Sequence, residues 1–152
     1  RGRATAARPV VLPESGVESA ATTGVETVLK GAANGFVSVR VPGGTVGDIR
    51  HVTVGAPVLR PGERAVFFLW RGSDSLWRPV GLTMGVYALQ NDPRTGQPVV
   101  RPPVVPGRTT SIGPVVRGDP RRKLLPIQEF ESLVQLIIAG RFGQAVPRGG
   151  RE

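Results

Sequence analysis

F-V-S-V-R-V, Phe36 to Val41, alternates apolar and polar side chains. At a period of two, Val37, Val39 and Val41 share one face of an extended chain, and Phe36, Ser38 and Arg40 share the other. Pro42-Gly43-Gly44 follows, with Gly47 close behind, and then a second β-like run from Ile49 to Val54. Glycines placed after a strand raise the question of a phosphate loop. Such a loop needs G-x-x-x-x-G-K-[ST] or G-x-G-x-x-G opening a helix, so that backbone N–H groups and the helix N-terminus face the phosphates. No lysine follows Gly47, and Asp48 to Val54 alternates with β-branched residues. The stretch is predicted to be a hairpin or bulged turn between two strands.

The same pattern extends on both sides. Val25 to Leu29 begins an alternating run, and Lys30 to Gly35 reads as a turn with Asn34-Gly35 its sharpest signal. Pro61-Gly62 suits a type II turn within the connection Ala56 to Arg64. Ala65 to Trp70, A-V-F-F-L-W, is continuous and aromatic, as in a strand buried on both faces. Arg71 to Ser75 makes a further turn, and Leu76 to Val80 and Leu82 to Leu89 complete the set. Short strands with turn signals about every ten residues predict a mainly β domain over 25–90, a small antiparallel barrel or sandwich.

The flanks read differently. Residues 1–24, rich in Ala, Arg, Thr and Gly, are expected to be an irregular N-terminal arm. Residues 91–123 form a basic, proline-rich extended segment; 91–120 alone hold seven of the 15 prolines, which exclude regular helix and central strand there. Residues 124–141 predict one amphipathic helix. Ile127, Phe130, Leu133, Val134, Ile137 and Ile138 fall on one face, Pro126 lies in the first turn and Gly140 is the stop. Residues 142–152 are a loop-like tail.

The 152 residues suffice for one domain with a real core, and none is cysteine. Disulfides, thiolate catalysis and cysteine-ligated metals are thereby excluded. Net charge is +9, carried almost wholly by arginine, since Lys30 and Lys123 are the only lysines. The excess is +3 over 25–90 and +5 over 91–152, so it is greatest outside the best-patterned region. Such a basic segment can meet an acidic protein, an anionic membrane surface or nucleic acid. No apolar run reaches the length of a membrane-spanning helix.

Candidate chemistry is sparse. His51 is the single histidine. Asp48 lies nearby, but useful metal sites need two or more convergent ligands. Ser73-Asp74-Ser75 has no base beside it and reads as a turn satisfying its own backbone. Glu129 and Glu131, two apart on a helix, point to different sides. No catalytic, cofactor-binding or metal-binding residue is assigned, and no cofactor is expected. Arg117, Arg121, Arg122 and Lys123, with Pro102 and Pro103, are the candidate partner-docking residues. Nucleic acid would require exposed aromatics beside those charges; with 5% aromatic content, only Trp77 and Tyr87 are candidates, which disfavours that partner.

V-L-K-G at 28–31, V-R-V-P-G-G at 39–44, G-A-P-V-L-R-P-G-E-R-A-V-F-F-L at 55–69 and V-G-L-T-M-G-V-Y at 80–87 occur in order. Together they resemble a family of uncharacterised exported bacterial proteins with a small OB-like β-barrel and a short C-terminal helix, which Leu125 to Ile137 would match. The resemblance implies export to the periplasm or cell envelope, and it offers no established catalytic residues to carry over. It also implies a long first hairpin before V-L-K-G. Ser15 to Gly24 is too short and too weakly patterned to supply one, so a degenerate hairpin or a missing strand is expected. A missing strand would leave an open edge for the proline-rich segment or a partner to cover. The resulting expectation is a non-catalytic exported β-module, an accessory subunit docking onto an envelope assembly. The alternative is a ligand or single-stranded nucleic-acid binding module that uses the barrel face and the basic segment.

Overall fold

The alternation of Phe36 to Val41 becomes a strand in which Val39 and Val41 are buried and Phe36 is exposed. The computed structural model describes residues 1–13, 16–103 and 123–141. In chain order its first strands are β1 (Gly2–Leu12), β2 (Gly16–Val25), β3 (Phe36–Pro42), β4 (Gly44–Val46) and β5 (Ile49–His51). Then come β6 (Arg64–Phe67), β7 (Leu69–Arg71), β8 (Trp77–Pro79), a 3-10 turn (Leu82–Gly85) and β9 (Val86–Asn91). β10 (Pro98–Arg101), β11 (Leu125–Pro126) and the helix α1 (Ile127–Ile138) complete the chain. The class is as expected, mainly β with one C-terminal helix. The strands form a mixed sheet in the order β11-β10-β9-β6-β1-β2-β3-β8-β7 where an antiparallel barrel or sandwich was expected, with β4-β5 as a separate ribbon. One pair, β3 with β8, is parallel.

The largest correction concerns residues 1–24. They form no irregular arm. β1 and β2 pair from Gly2↔Val25 to Leu12↔Gly16, with an irregularity between Ala4 and Ala6. β2 continues the sheet onto β3, from Glu18↔Pro42 to Gly24↔Phe36. The long first hairpin is therefore present, supplied by residues 2–25. Its buried positions are small: Ala4, Ala20, Ala21 and Thr23 are all 6% exposed or less. Alanine and threonine contribute little hydropathy, so buried positions filled by them leave no alternation for the eye to find. At Gly2 even a methyl is excluded, because a Cβ would lie 2.5 Å from the Gly24 carbonyl oxygen.

Other boundaries shift. Val25 ends β2, and Glu26 to Leu29 belongs to a loop, not a strand. The run Ala65 to Trp70 is interrupted at Phe68, whose N–H donates to Gly85 O (2.8 Å) while its carbonyl accepts from Val80 N–H (2.8 Å). β6 and β7 are thus successive stretches of residues 64–71. The first pairs with β1 and β9, the second with β8. Leu82 to Gly85 is a 3-10 turn, and the strand begins only at Val86. The sheet also runs past residue 90, because Pro98–Arg101 pairs with β9 and with Leu125–Pro126. Pro98 is tolerated as the first residue of its strand, where a missing donor costs least.

A core lies where α1 meets β6 and β10. Val66, Val100 and Ile127 are buried together, with Leu29, Leu89 and three aromatics around them. Tyr87 lies 5.5 Å from Phe68 and 5.1 Å from Phe130, centroid to centroid, in edge and tilted contacts. The helix ends as its sequence predicts. Gly140 takes φ +67°, its N–H reaches Ile137 O (3.0 Å), and Arg141 N–H reaches Leu136 O (2.9 Å). This pair of bonds is a Schellman cap. Pro126 stands at the N-cap, one place before the expected first turn. The expected single apolar face is only partly used. Ile127 and Val134 are buried, but Ile137 is 56% exposed and Ile138 39%.

Candidate functional site

The exposed end of α1 overhangs a half-open cleft of about 600 Å³. One wall is sheet, formed by Thr23, Val25, Val37, Leu69 and Trp77; the loop after β2 adds Val28, Leu29 and Lys30; α1 adds Val134, Ile137 and Ile138. Alternation places Val37 here, on the same side of β3 as Val39 and Val41. Val80 and Ile137 form an apolar rim, about half exposed each. Thr23, on β2 between Ala4 and Val37, is 2% exposed, and its hydroxyl has no hydrogen-bond partner among the described residues.

Polar contacts hold the loop and the helix over the sheet. The Arg1 guanidinium donates from Nη1 to Glu131 Oε1 (2.8 Å) and from Nη2 to Thr27 Oγ1 (2.8 Å), and its Nε lies 3.3 Å from Glu26 Oε2. Arg64 grips Glu26 at both oxygens, at 2.8 and 2.6 Å. The hydrogen bonds from Arg64 are the largest influence on the Glu26 carboxyl and hold it below the usual range; partial desolvation opposes them, and the charges of Arg64, Arg1 and Arg3 add to them. Gln135 Nε2 donates to Leu29 O (2.9 Å), tying the last turns of α1 to the loop.

The outer side of the sheet carries a second polar group. Arg78 donates to both carboxylate oxygens of Asp74, at 2.9 and 2.7 Å, and lies 3.7 Å from Glu18, which is also 3.7 Å from Arg40. The Arg78 hydrogen bonds, helped by the Leu76 N–H, lower the Asp74 carboxyl to about 2. Arg78 also sits 5.9 Å over the ring of Trp70, and Arg71 lies 5.7 Å over Trp77. Arg40 and Arg78 therefore already face carboxylates, and a nucleic-acid phosphate would have to displace these.

The glycine stretch is a hairpin. Gly44↔His51, Thr45↔Arg50 and Val46↔Ile49 pair around Gly47-Asp48, with Gly47 at φ +56°. It flanks a smaller hollow of about 290 Å³ at the other end of the sheet, where Ser19 Oγ donates to Gly43 O (2.8 Å). His51 is exposed there. Ser73-Asp74-Ser75 is the expected turn, closed by Leu76 N–H on Asp74 Oδ1 (3.0 Å). Among the described residues, no three His, Cys, Asp or Glu side chains converge as a metal site, and no helix is long and apolar enough to cross a membrane.

Of the predicted docking residues, the described part of the chain holds Lys123, Pro102 and Pro103. Arg117, Arg121 and Arg122 lie outside the described residues. Lys123 is exposed, Pro102 half-buried and Pro103 buried. The sequence reading missed the cleft altogether. Its one legible signal was the pair Ile137-Ile138, more apolar surface than a twelve-residue helix needs to cover its own core. Comparisons of the chain with family models, curated proteins and solved structures found no match.

Proposed function

We propose that this chain is a non-catalytic binding module of OB-like type, exported to the bacterial envelope, where it serves as an accessory subunit. Its binding site is the cleft between the sheet, the loop after β2 and α1. The observation that carries the reading is the apolar lining, left open to solvent with half-exposed aliphatic side chains at its rim. Contiguous apolar surface of this kind is costly to leave wet and marks a site of association.

Connectivity supports the OB-like part. With 64–71 counted as a single strand, β1, β2, β3, β8 and that strand follow one another in hydrogen-bonded order and lead back to β1, with one parallel pair. A five-stranded circuit of this kind suits a partly open Greek-key barrel. The long hairpin over 2–25 fits the exported family that the ordered motifs resemble. Export itself rests on that resemblance, and fractionation of the source cells tests it: recovery in the cytosol refutes it.

Cleft binding is tested with a neutral apolar dye, N-phenyl-1-naphthylamine. Saturable fluorescence enhancement at one site, lost in Val37→Trp, is the expected result. No enhancement with the folded protein, and no binding of any other apolar probe, refutes the reading. A second reading, single-stranded nucleic acid on the outer face, draws on the exposed Trp70 beside Arg78. A mobility shift with oligothymidylate at low salt, lost in Trp70→Ala, would favour it.

A further inference from the structure

We propose that the cleft takes an anionic amphiphile with one flexible aliphatic chain, the chain lying under α1 and the head group held at the mouth by Lys30. This assignment rests on the cleft-binding reading above. Two cationic side chains and no carboxylate line the cleft among the described residues. Arg1 is already engaged by Glu26, Glu131 and Thr27. Lys30 is exposed, with no ion pair or hydrogen bond among the described residues. A cationic head would meet a second positive charge at the mouth and find no counter-charge in the lining. An anionic head meets an unpaired ammonium.

The tail follows from the walls. Ten branched aliphatic residues line the cleft against three aromatic ones, so the surface is mostly branched methyl groups with little flat area for stacking. Such walls attract a methylene chain by many weak contacts and suit no planar ring in particular. The volume of about 600 Å³ falls in the range of small-molecule sites, roughly 300–1,000 Å³. A chain laid along Leu69 and Val37 would also cover Ile137 and Ile138, the apolar side chains that α1 leaves uncovered.

The test uses decanoate, 1-decanol and decyltrimethylammonium below their micelle concentrations, with amide chemical shifts of the full chain as the readout. Decanoate is expected to bind saturably, moving the amides of 28–33 and 137–138. It should bind about two- to fivefold tighter than decyltrimethylammonium, the scale of one exposed charge pair. Lys30→Glu should abolish that preference, and Val37→Trp should block all three probes. Should Val37→Trp fail to fold, Ile137→Gln at the exposed rim should weaken all three instead. Equal binding of anion and cation, or an unchanged preference in Lys30→Glu, overturns the head-group assignment while cleft binding stands. Binding of N-phenyl-1-naphthylamine without binding of any decyl probe overturns the aliphatic tail. If neither dye nor decyl probes bind, the cleft-binding reading falls and this assignment with it.

Discussion

Replacing Thr23 by valine exchanges a hydroxyl for a methyl of nearly the same shape at the floor of the cleft. Thr23 is 2% exposed, and its hydroxyl finds no partner among the described residues. A buried hydroxyl without a hydrogen bond costs about 1–3 kcal/mol of desolvation that nothing returns. Its neighbours across the strands, Ala4 and Val37, are apolar and offer the hydroxyl no side-chain partner. Thr23→Val should therefore stabilise the fold, by about 1 kcal/mol at the low end of that range, or roughly 2–4 °C in Tm for a domain of this size. Thr23→Ser keeps the hydroxyl and deletes the methyl, and should destabilise by about 1 kcal/mol through the small cavity left behind. Thr22, exposed on the other side of β2, gives the control: Thr22→Val reports β-propensity without burial and should move stability by less than about 0.5 kcal/mol. Urea unfolding followed by tryptophan fluorescence reads all three. If Thr23→Val destabilises the protein, the hydroxyl has a partner, such as a bound water, and the premise is wrong.

Other perturbations have equally definite outcomes. A Cβ on Gly85 would lie 2.5 Å from Val80 O and 2.9 Å from Phe68 O; Gly85→Ala should cost roughly 2–4 kcal/mol by forcing the 3-10 turn off the strand, read as a lower urea midpoint. Ile127→Ala removes a 4% exposed side chain from the core under α1 and should cost about 2–5 kcal/mol by the same measurement. Asp74 titrates at about 2 because of Arg78, so its contribution is complete above the ordinary carboxyl value and is lost as pH falls through the depressed one. Carboxyl-carbon NMR should show that low midpoint and its rise toward the normal range in Arg78→Gln, the Leu76 N–H still holding part of the shift; an unchanged midpoint would remove Arg78 as the cause. Gln135→Ala breaks the bond to Leu29 O and should speed hydrogen exchange at the end of α1 with less than about 1 kcal/mol lost overall.

What the sequence made legible tracks side-chain size. β3, the 44–51 hairpin and α1 stand out because Val, Ile and Phe at a fixed period carry a strong signal. β1 and β2 do not, because their inward residues are alanine and threonine and the spacing has no contrast. The break at Phe68 was hidden for another reason. Its cause is Gly85 O and Val80 N–H, contacts made through the fold and invisible in a local window. The cleft was hidden likewise. Its lining comes from β2, β3, β7, β8, a loop and a helix more than a hundred residues apart in the chain. Lys30 gave no sign either, since a lysine in a turn reads as solvated surface until the loop is seen to stand at the mouth of an apolar hollow.

The alanine-rich hairpin also bears on how the chain is made. β1 pairs with β2 within the first 25 residues, but its other edge waits for Arg64 and Ala65. During synthesis that edge stays unpaired until the far partner emerges, and an unpaired strand rich in Val, Ile or Phe would be a template for aggregation over that interval. Ala and Gly have poor strand propensity, and Thr and Arg, being polar, add little stickiness to an open edge. The composition that disguises the hairpin on paper thus lowers the hazard of an edge whose partner lies about forty residues further along the chain.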